Sequence, residues 1–248
     1  MEGTALVTGA DRGLGLAITA LLLNKGWRVF AGQYMPAWPD LASLSAQYPG
    51  QLSLVSLDVA SEDSVRVAAH IASGQTSQID VMINNAGVTS PTMYRTIREE
   101  QNYAEMQRIY NINALGALRV VEAFLPLVER SAMKRLCFVS SEAGSIARAE
   151  RESWFGYCMS KAALNMAVKI LFNNLRPLGY TFRVYHPGWV RSYMSGKKNE
   201  EADLEPEAAA APAVAYFLGS GRIDMPQPVL IDEDVLVMRD YLGNDWSW

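Results

Sequence analysis

The amino-acid sequence predicts an α/β fold, a doubly wound parallel sheet of about seven strands with helices on both faces. Three observations predict it. Short apolar segments alternate along the chain with longer segments of helical character. The first apolar segment runs into a glycine-rich turn and then an apolar helix. No repeat, low-complexity tract or linker interrupts the alternation over 248 residues, so one domain spanning 1–248 is expected.

Strands are expected at residues 5–7, 28–31, 52–56, 81–84, 135–140, 182–186 and 229–231. Helices are expected at 15–25, 39–48, 61–73, 103–130, 155–178 and 206–218, each one a crossover between parallel strands. Ser61 precedes Glu62 and Asp63, a capping hydroxyl followed by acids in a first turn. Pro206 follows Glu205, at the helical position where a missing N–H costs nothing. The least regular stretch is 189–205, with the charge run Lys197-Lys198-Asn199-Glu200-Glu201. Its place after a strand's carboxyl end suits a lid over a ligand crevice.

Bulk properties narrow the function. Half of the residues are apolar and 19% are charged, enough for a large core. The net charge of −4 argues against a nucleic-acid surface. No apolar run approaches the roughly 18 residues of a membrane span, and the leucines at 21–23 lie inside the first βα unit rather than in a signal peptide. Cys137 and Cys158 form neither a C-x-x-C pair nor a metal cluster, and His70 and His186 are too few to add one. The expectation is a cytoplasmic protein without metal, nucleic acid or membrane partner.

The chemistry starts at the glycines. Gly9, Gly13 and Gly15 stand between the first strand and helix, where backbone can approach a pyrophosphate and a helix N-terminus offers free N–H groups. Tyr157 and Lys161 lie four apart on an expected helix and share a face. A free phenol ionises near pH 10, about three units too high for a base, but a fixed ammonium beside it favours phenolate. Tyr157 is therefore expected to be a proton donor or acceptor with a lowered pKa. Ser140 and Ser141 end a strand at the carboxyl edge of the sheet, where a hydroxyl can bond a substrate carbonyl. Asn84-Asn85-Ala86-Gly87 closes another strand, and Asn113 lies within the long 103–130 helix, where it could hold a water beside Lys161.

With these motifs in order, the chain resembles the short-chain dehydrogenases/reductases over essentially its full length. The matching residues are Thr8-Gly9-x-x-x-Gly13-x-Gly15, Asn84-Asn85-Ala86-Gly87, Asn113, the serine strand, Tyr157-x-x-x-Lys161 and Pro187-Gly188. The resemblance implies a Rossmann fold and an NAD(P)-dependent oxidoreductase with a Ser–Tyr–Lys–Asn tetrad. Tyr157 would be the acid/base, Lys161 would lower its pKa and bind the nicotinamide ribose, and Asn113 would support Lys161 through a water. The family's serine stands before x-x-Gly, which selects Ser141 over Ser140. Cofactor contacts are implied for Gly9, Arg12, Gly13, Leu14, Gly15, Asp58, Val59, Asn85, Ala86, Gly87, Tyr157, Lys161, Pro187, Gly188 and Val190. More narrowly, residues 123–127, 141–146 and 186–190 and the final Trp246-Ser247-Trp248 resemble the C-factor/sniffer group of carbonyl reductases. The connection 147–155 is longer than in many members and should reach the substrate mouth, with Trp154, Trp189, Tyr193 and Met194 as candidate substrate contacts beside Ser141.

The second expected strand leads into Gln33-Tyr34 without the acid that would bond the adenosine ribose of NAD, and Arg12 can meet a 2′-phosphate bidentately. NADP is favoured, with NAD the alternative. The expected activity is hydride transfer between NADPH and a small-molecule carbonyl or alcohol. The rivals are an NAD-dependent alcohol dehydrogenase and a non-catalytic dinucleotide sensor or scaffold. A G-x-S-x-G elbow, a P-loop and an H-E-x-x-H pair are all absent from the sequence. A homodimer or homotetramer is implied by the resemblance.

Overall fold

The computed structural model describes residues 2–248. Strands β1 (Thr4–Val7), β2 (Arg28–Gln33), β3 (Leu52–Ser56), β4 (Val81–Asn84), β5 (Arg135–Val139) and β6 (Thr181–His186) lie parallel in the order 3-2-1-4-5-6. β4 and β5 are buried along their whole length, which is why they read as continuous apolar runs rather than alternating ones. Successive residues still point to opposite faces: Ala5 and Val7 join one core layer and Leu6 the other.

Seven helices cover the sheet. α1 (Gly13–Asn24), α2 (Pro39–Gln47) and α7 (Pro206–Leu218) contribute to the first layer. α3 (Glu62–Ser73), α5 (Gly116–Val128) and α6 (Phe155–Leu175) contribute to the second, and α4 (Tyr103–Tyr110) packs on α6. The Ser61 hydroxyl accepts from Ser64 N at 3.2 Å, capping α3 as expected. β1 and β4 are neighbours although the chain passes β2 and β3 between them, so the helices that follow them cover opposite faces of the sheet.

Two expectations are corrected. The seventh parallel strand is β9 (Met238–Asp240), paired with β6, and not residues 229–231. The apolar stretch at 229–231 instead supplies β8 (Val229–Leu230), which pairs with β7 (Arg222–Ile223) in a separate ribbon. β9 carries Arg239 and Asp240 and looked polar. The Asp240 carboxylate takes the N–H groups of Leu242, Asn244 and Trp246 Nε1 at 2.9 to 3.0 Å, folding β10 (Asp245–Trp246) back as an antiparallel edge. The sheet therefore has eight strands.

The 103–130 segment is also not one α-helix. A π-helical turn, Asn111–Leu115, separates α4 from α5. There the buried Asn113 amide bonds both backbone groups of Val88, and a Cβ on Gly116 would stand 2.9 Å from Val59 Cγ2. Within Tyr103–Val128, an 18-residue window has a mean hydropathy of 1.3 and is long and apolar enough by composition alone to cross a membrane. Its apolarity has a local use: Val120, Val121, Phe124 and Val128 pack into the second core layer.

Two buried arginines that carry no motif in the sequence hold α7 down. Arg183 bonds both oxygens of Glu233 at 2.6 and 2.8 Å, and together with Arg135 it donates to the carbonyls of Tyr216, Phe217 and Gly219. These are orphan carbonyls of a helix C-terminus, the natural acceptors for guanidinium groups.

Candidate active site

The turn after β1 is shaped by atoms that leave no room for side chains. Gly9 has φ +62° and a Cβ there would lie 2.9 Å from Ala86 Cα. A Cβ on Gly15 would meet the Gly9 carbonyl oxygen at 2.1 Å. Gly13 also takes a left-handed φ of +55°. From the β4 side, Asn85 and Ala86 both donate backbone N–H to Thr8 Oγ1 at 3.0 Å, and Asn85 Nδ2 donates to the carbonyls of Thr8 and Gly9. Leu14 is buried beneath the first turn of α1, whose N-terminus carries no side-chain cap and no acid. A bare helix N-terminus over a glycine cradle fits a dinucleotide pyrophosphate. Thr8 was only a motif letter in the sequence; its hydroxyl is what ties the two loops together.

At the adenosine side, Asp58 caps the turn after β3 by accepting from Ala60 N at 2.9 Å, and Val59 is buried beside it. An acid does serve the loop after β2, but it comes from elsewhere. The buried Asp11 carboxylate accepts from Tyr34 N and Met35 N at 3.0 and 2.9 Å, so both oxygens are consumed by backbone. Arg12 makes no ion pair among the described residues and lies against two aromatic rings that touch each other edge-on.

The proton-handling group gathers where β5, α6 and the π turn meet. Ser140 is turned away, donating to Asn165 Oδ1 at 2.6 Å within the core. Ser141 is the serine that faces Tyr157, its Oγ also accepting from Ala143 N at 3.1 Å. Lys161 is buried and donates to the Val139 carbonyl at 3.0 Å, with its Nζ 5.8 Å from the Tyr157 ring centre. A Cβ on Gly87 would lie within 3.7 Å of Asn113 Oδ1, Lys161 Nζ and Met194 Cε, so these three converge on the Asn84–Gly87 loop. Asn113 gives its amide hydrogens to Val88 O and Ser160 Oγ.

The expected lowering of the Tyr157 pKa is not what this arrangement produces. Burial of the hydroxyl pushes it up to about 12, outweighing the facing Ser141 hydroxyl, which acts in the other direction. Lys161 directs its N–H to a backbone carbonyl rather than to the phenol, and burial pulls its own pKa down to about 8.

The rim above Tyr157 is aromatic and cationic. Trp154 packs edge-on against Tyr157 and Tyr94, at 6.2 and 5.7 Å between ring centres, and the Arg151 guanidinium lies 4.6 Å over its ring. Trp154 holds a left-handed φ of +67°, a strained state for a bulky residue, fixed by its N–H bond to Met93 O at 2.8 Å. Arg151 is also bidentate to Glu142, next to Ser141. The C-terminal segment joins this rim: Arg148 stacks 4.5 Å over Trp246, His186 meets Trp246 edge-on, and Ser145 Oγ donates to Ser247 O. His186 Nδ1 is buried without a hydrogen-bond partner, and burial lowers its pKa.

Not every candidate reaches the rim. Gly188, at φ +77°, packs against Leu204 and Tyr241 just after Pro187, and Val190 is buried in a bridge to Leu204 at the base of the 189–205 loop. Trp189 is half-exposed, its carbonyl engaged by Leu204 N. Tyr193 lies on Arg12 instead of on the substrate side, whereas Met194 reaches Gly87.

The short chain dehydrogenase family model matches residues 3–203. The C-signal protein of Myxococcus xanthus is 44% identical over 121 residues, 49% of this chain and 71% of that protein. The NADPH-bound carbonyl reductase from chicken fatty liver superposes with a TM-score of 0.82 at 27% identity, covering 99% of this chain and 98% of the other. The carbonyl reductase Sniffer of Drosophila melanogaster gives a TM-score of 0.84 over 100% of both chains, and at 23% identity this speaks to the fold. Cradle, converging side chains and matched sequence agree: the chain belongs to the short-chain dehydrogenase family of oxidoreductases.

Proposed function

We propose that the chain is an NADP(H)-dependent carbonyl reductase acting on a bulky apolar or aromatic carbonyl. One observation carries the reading: Tyr157 faces Ser141 with the buried Lys161 Nζ 5.8 Å from its ring centre and beside the Gly87 loop, so a protonated phenol stands where a carbonyl oxygen could be held. A held proton suits the reduction of a carbonyl, which needs an acid. The NAD-dependent dehydrogenase reading is disfavoured because the loop after β2 offers no free acid for a ribose: both Asp11 oxygens accept backbone N–H groups. A sensor or scaffold would have no use for a buried phenol and ammonium set around one loop.

When bound, NADPH supplies the hydride that a carbonyl carbon accepts. The Ser141 hydroxyl donates to the carbonyl oxygen and fixes its direction. Tyr157 passes its phenolic proton to that oxygen as negative charge develops. Lys161 lies behind the phenol and the loop of Gly87, placed to hold a ribose. Asn113 anchors Val88 and Ser160, so it positions the pocket through its side chain. The Trp154 and Tyr94 rings form the apolar wall. We further infer that 1–248 works as one domain, that residues 189–205 form its lid, and that the exposed apolar side chains of Tyr103, Met159, Met166 and Ile170 on α4 and α6 meet a second copy, which sedimentation would detect as a dimer.

The test is Tyr157→Phe. Carbonyl-dependent oxidation of NADPH is expected to fall at least about 100-fold, while NADPH binding measured by calorimetry stays within about twofold. Retained turnover overturns the assignment.

A further inference from the structure

The Arg12 guanidinium occupies a box that neither the cradle nor the rim requires. Its central carbon lies 4.7 Å from the Trp38 ring centre and 5.1 Å from that of Tyr193. The two rings meet edge-on, 4.9 Å apart at 71°. Tyr193 also supplies its backbone carbonyl, accepting from Arg12 Nη2 at 3.2 Å. Aromatic faces attract a cation without consuming its N–H donors. With one modest bond to a carbonyl and no carboxylate paired to it among the described residues, Arg12 keeps donors available for a tetrahedral anion.

Both walls of the box are themselves held. Trp38 sits at the start of α2, its N–H bonded to Met35 O at 2.9 Å and its indole N–H to Asp40 at 3.0 Å. Met35 and Tyr34 are in turn fixed by the Asp11 carboxylate. Tyr193 belongs to the loop after β6, whose base is closed by Arg191 bonds to Ala202 O and Glu205 and by the Val190–Leu204 bridge. That loop approaches the cradle closely, with Ser192 Cβ 3.7 Å from where a Gly13 Cβ would stand.

We propose that Trp38 and Tyr193 are positioning residues that set the preference for a 2′-phosphorylated dinucleotide by presenting Arg12 edge-on to the phosphate. The loop expected to cover substrate thus also reads the adenosine end of the cofactor. This rests on the NADP(H) reading above. An unsupported Arg12 would have to be ordered by the phosphate itself, at the entropic cost of a long side chain, and the box removes that cost.

Calorimetric titration of the full chain with NADPH and with NADH tests this without any turnover. Tyr193→Ala and Trp38→Ala are each expected to weaken NADPH binding about five- to tenfold and NADH binding less than twofold. Tyr193→Phe keeps the ring and should retain the preference. In an Arg12→Ala background, Tyr193→Ala should add no further discrimination. Equal weakening of both dinucleotides, or no change in their ratio, overturns the proposal while leaving the NADP(H) reading in place. A wild-type protein with no preference for NADPH overturns both.

Discussion

The glycine cradle and the aromatic rim are built in opposite ways. The cradle is made of backbone pressed on backbone: Gly9 against Ala86, Gly15 against the Gly9 carbonyl, and the Thr8 hydroxyl stitching two loops. It has almost no side chain to trim. The rim is made of side chains stacked on side chains, Arg151 on the nearby Trp154 and Arg148 on Trp246 from the distant C-terminal segment. A site that holds an invariant group through main-chain N–H has little freedom to change. One that selects a substrate by ring stacking can be altered a residue at a time.

The largest break should come in the cradle. Gly15→Val places carbon where the Gly9 carbonyl and Asn85 Nδ2 already are, at 2.1 and 2.5 Å, with backbone that cannot yield cheaply. Loss of measurable binding to both dinucleotides and a lower melting temperature are expected by calorimetry and thermal melting. Unchanged NADPH binding would mean that the cradle is not the cofactor site.

An intermediate effect should appear where the two regions meet, at Lys161. Its folded pKa of about 8 lies below the ordinary lysine value of 10.5, so between those limits the unfolded chain holds more protons. Stability from this group therefore rises with pH across that window, while the ammonium is lost. The rate of carbonyl reduction should fall as pH passes about 8, with Tyr157 still protonated. Melting curves and pH–rate profiles should move in opposite directions there, and Lys161→Met should remove the stability rise. A reduction rate flat from pH 7 to roughly 9.5 would exclude a role for the Lys161 charge.

The smallest effect belongs to the outer rim. Trp246→Ala removes the surface under Arg148 and the edge contact with His186, leaving the cradle untouched. KM for a bulky aromatic carbonyl should rise about two- to fivefold, with NADPH affinity constant. A shift in NADPH affinity larger than the change in KM would make this segment part of the cofactor site.

The motifs were legible because each needs only short-range chemistry. A glycine turn between strand and helix, an Asn-Asn-Ala-Gly strand end and a tyrosine four residues before a lysine announce themselves locally; in the structure Gly9 and Gly15 pack against the Asn85-Ala86 loop, and Tyr157 faces Ser141 near Lys161. The same local reading failed at β9. A strand of Met238-Arg239-Asp240 looks polar until Asp240 is seen gathering the N–H groups of its own turn. It failed again at the π turn, because the reason for the extra residue lies in Val88 and Val59, far away in the chain.

Periodicity and glycine spacing by themselves determined the parallel sheet, its crossover helices and the place of the cradle, since strand and helix periods and backbone close approach are properties of neighbouring residues. Only the tertiary structure decided which way a proton is held. Whether an ammonium acts on a phenol depends on distance and on competing acceptors. Here the Val139 carbonyl accepts the Lys161 N–H and the desolvated Tyr157 keeps its own proton. Tertiary packing also decided that Tyr193 lies against Arg12, because a loop's reach is set by what its base is bonded to.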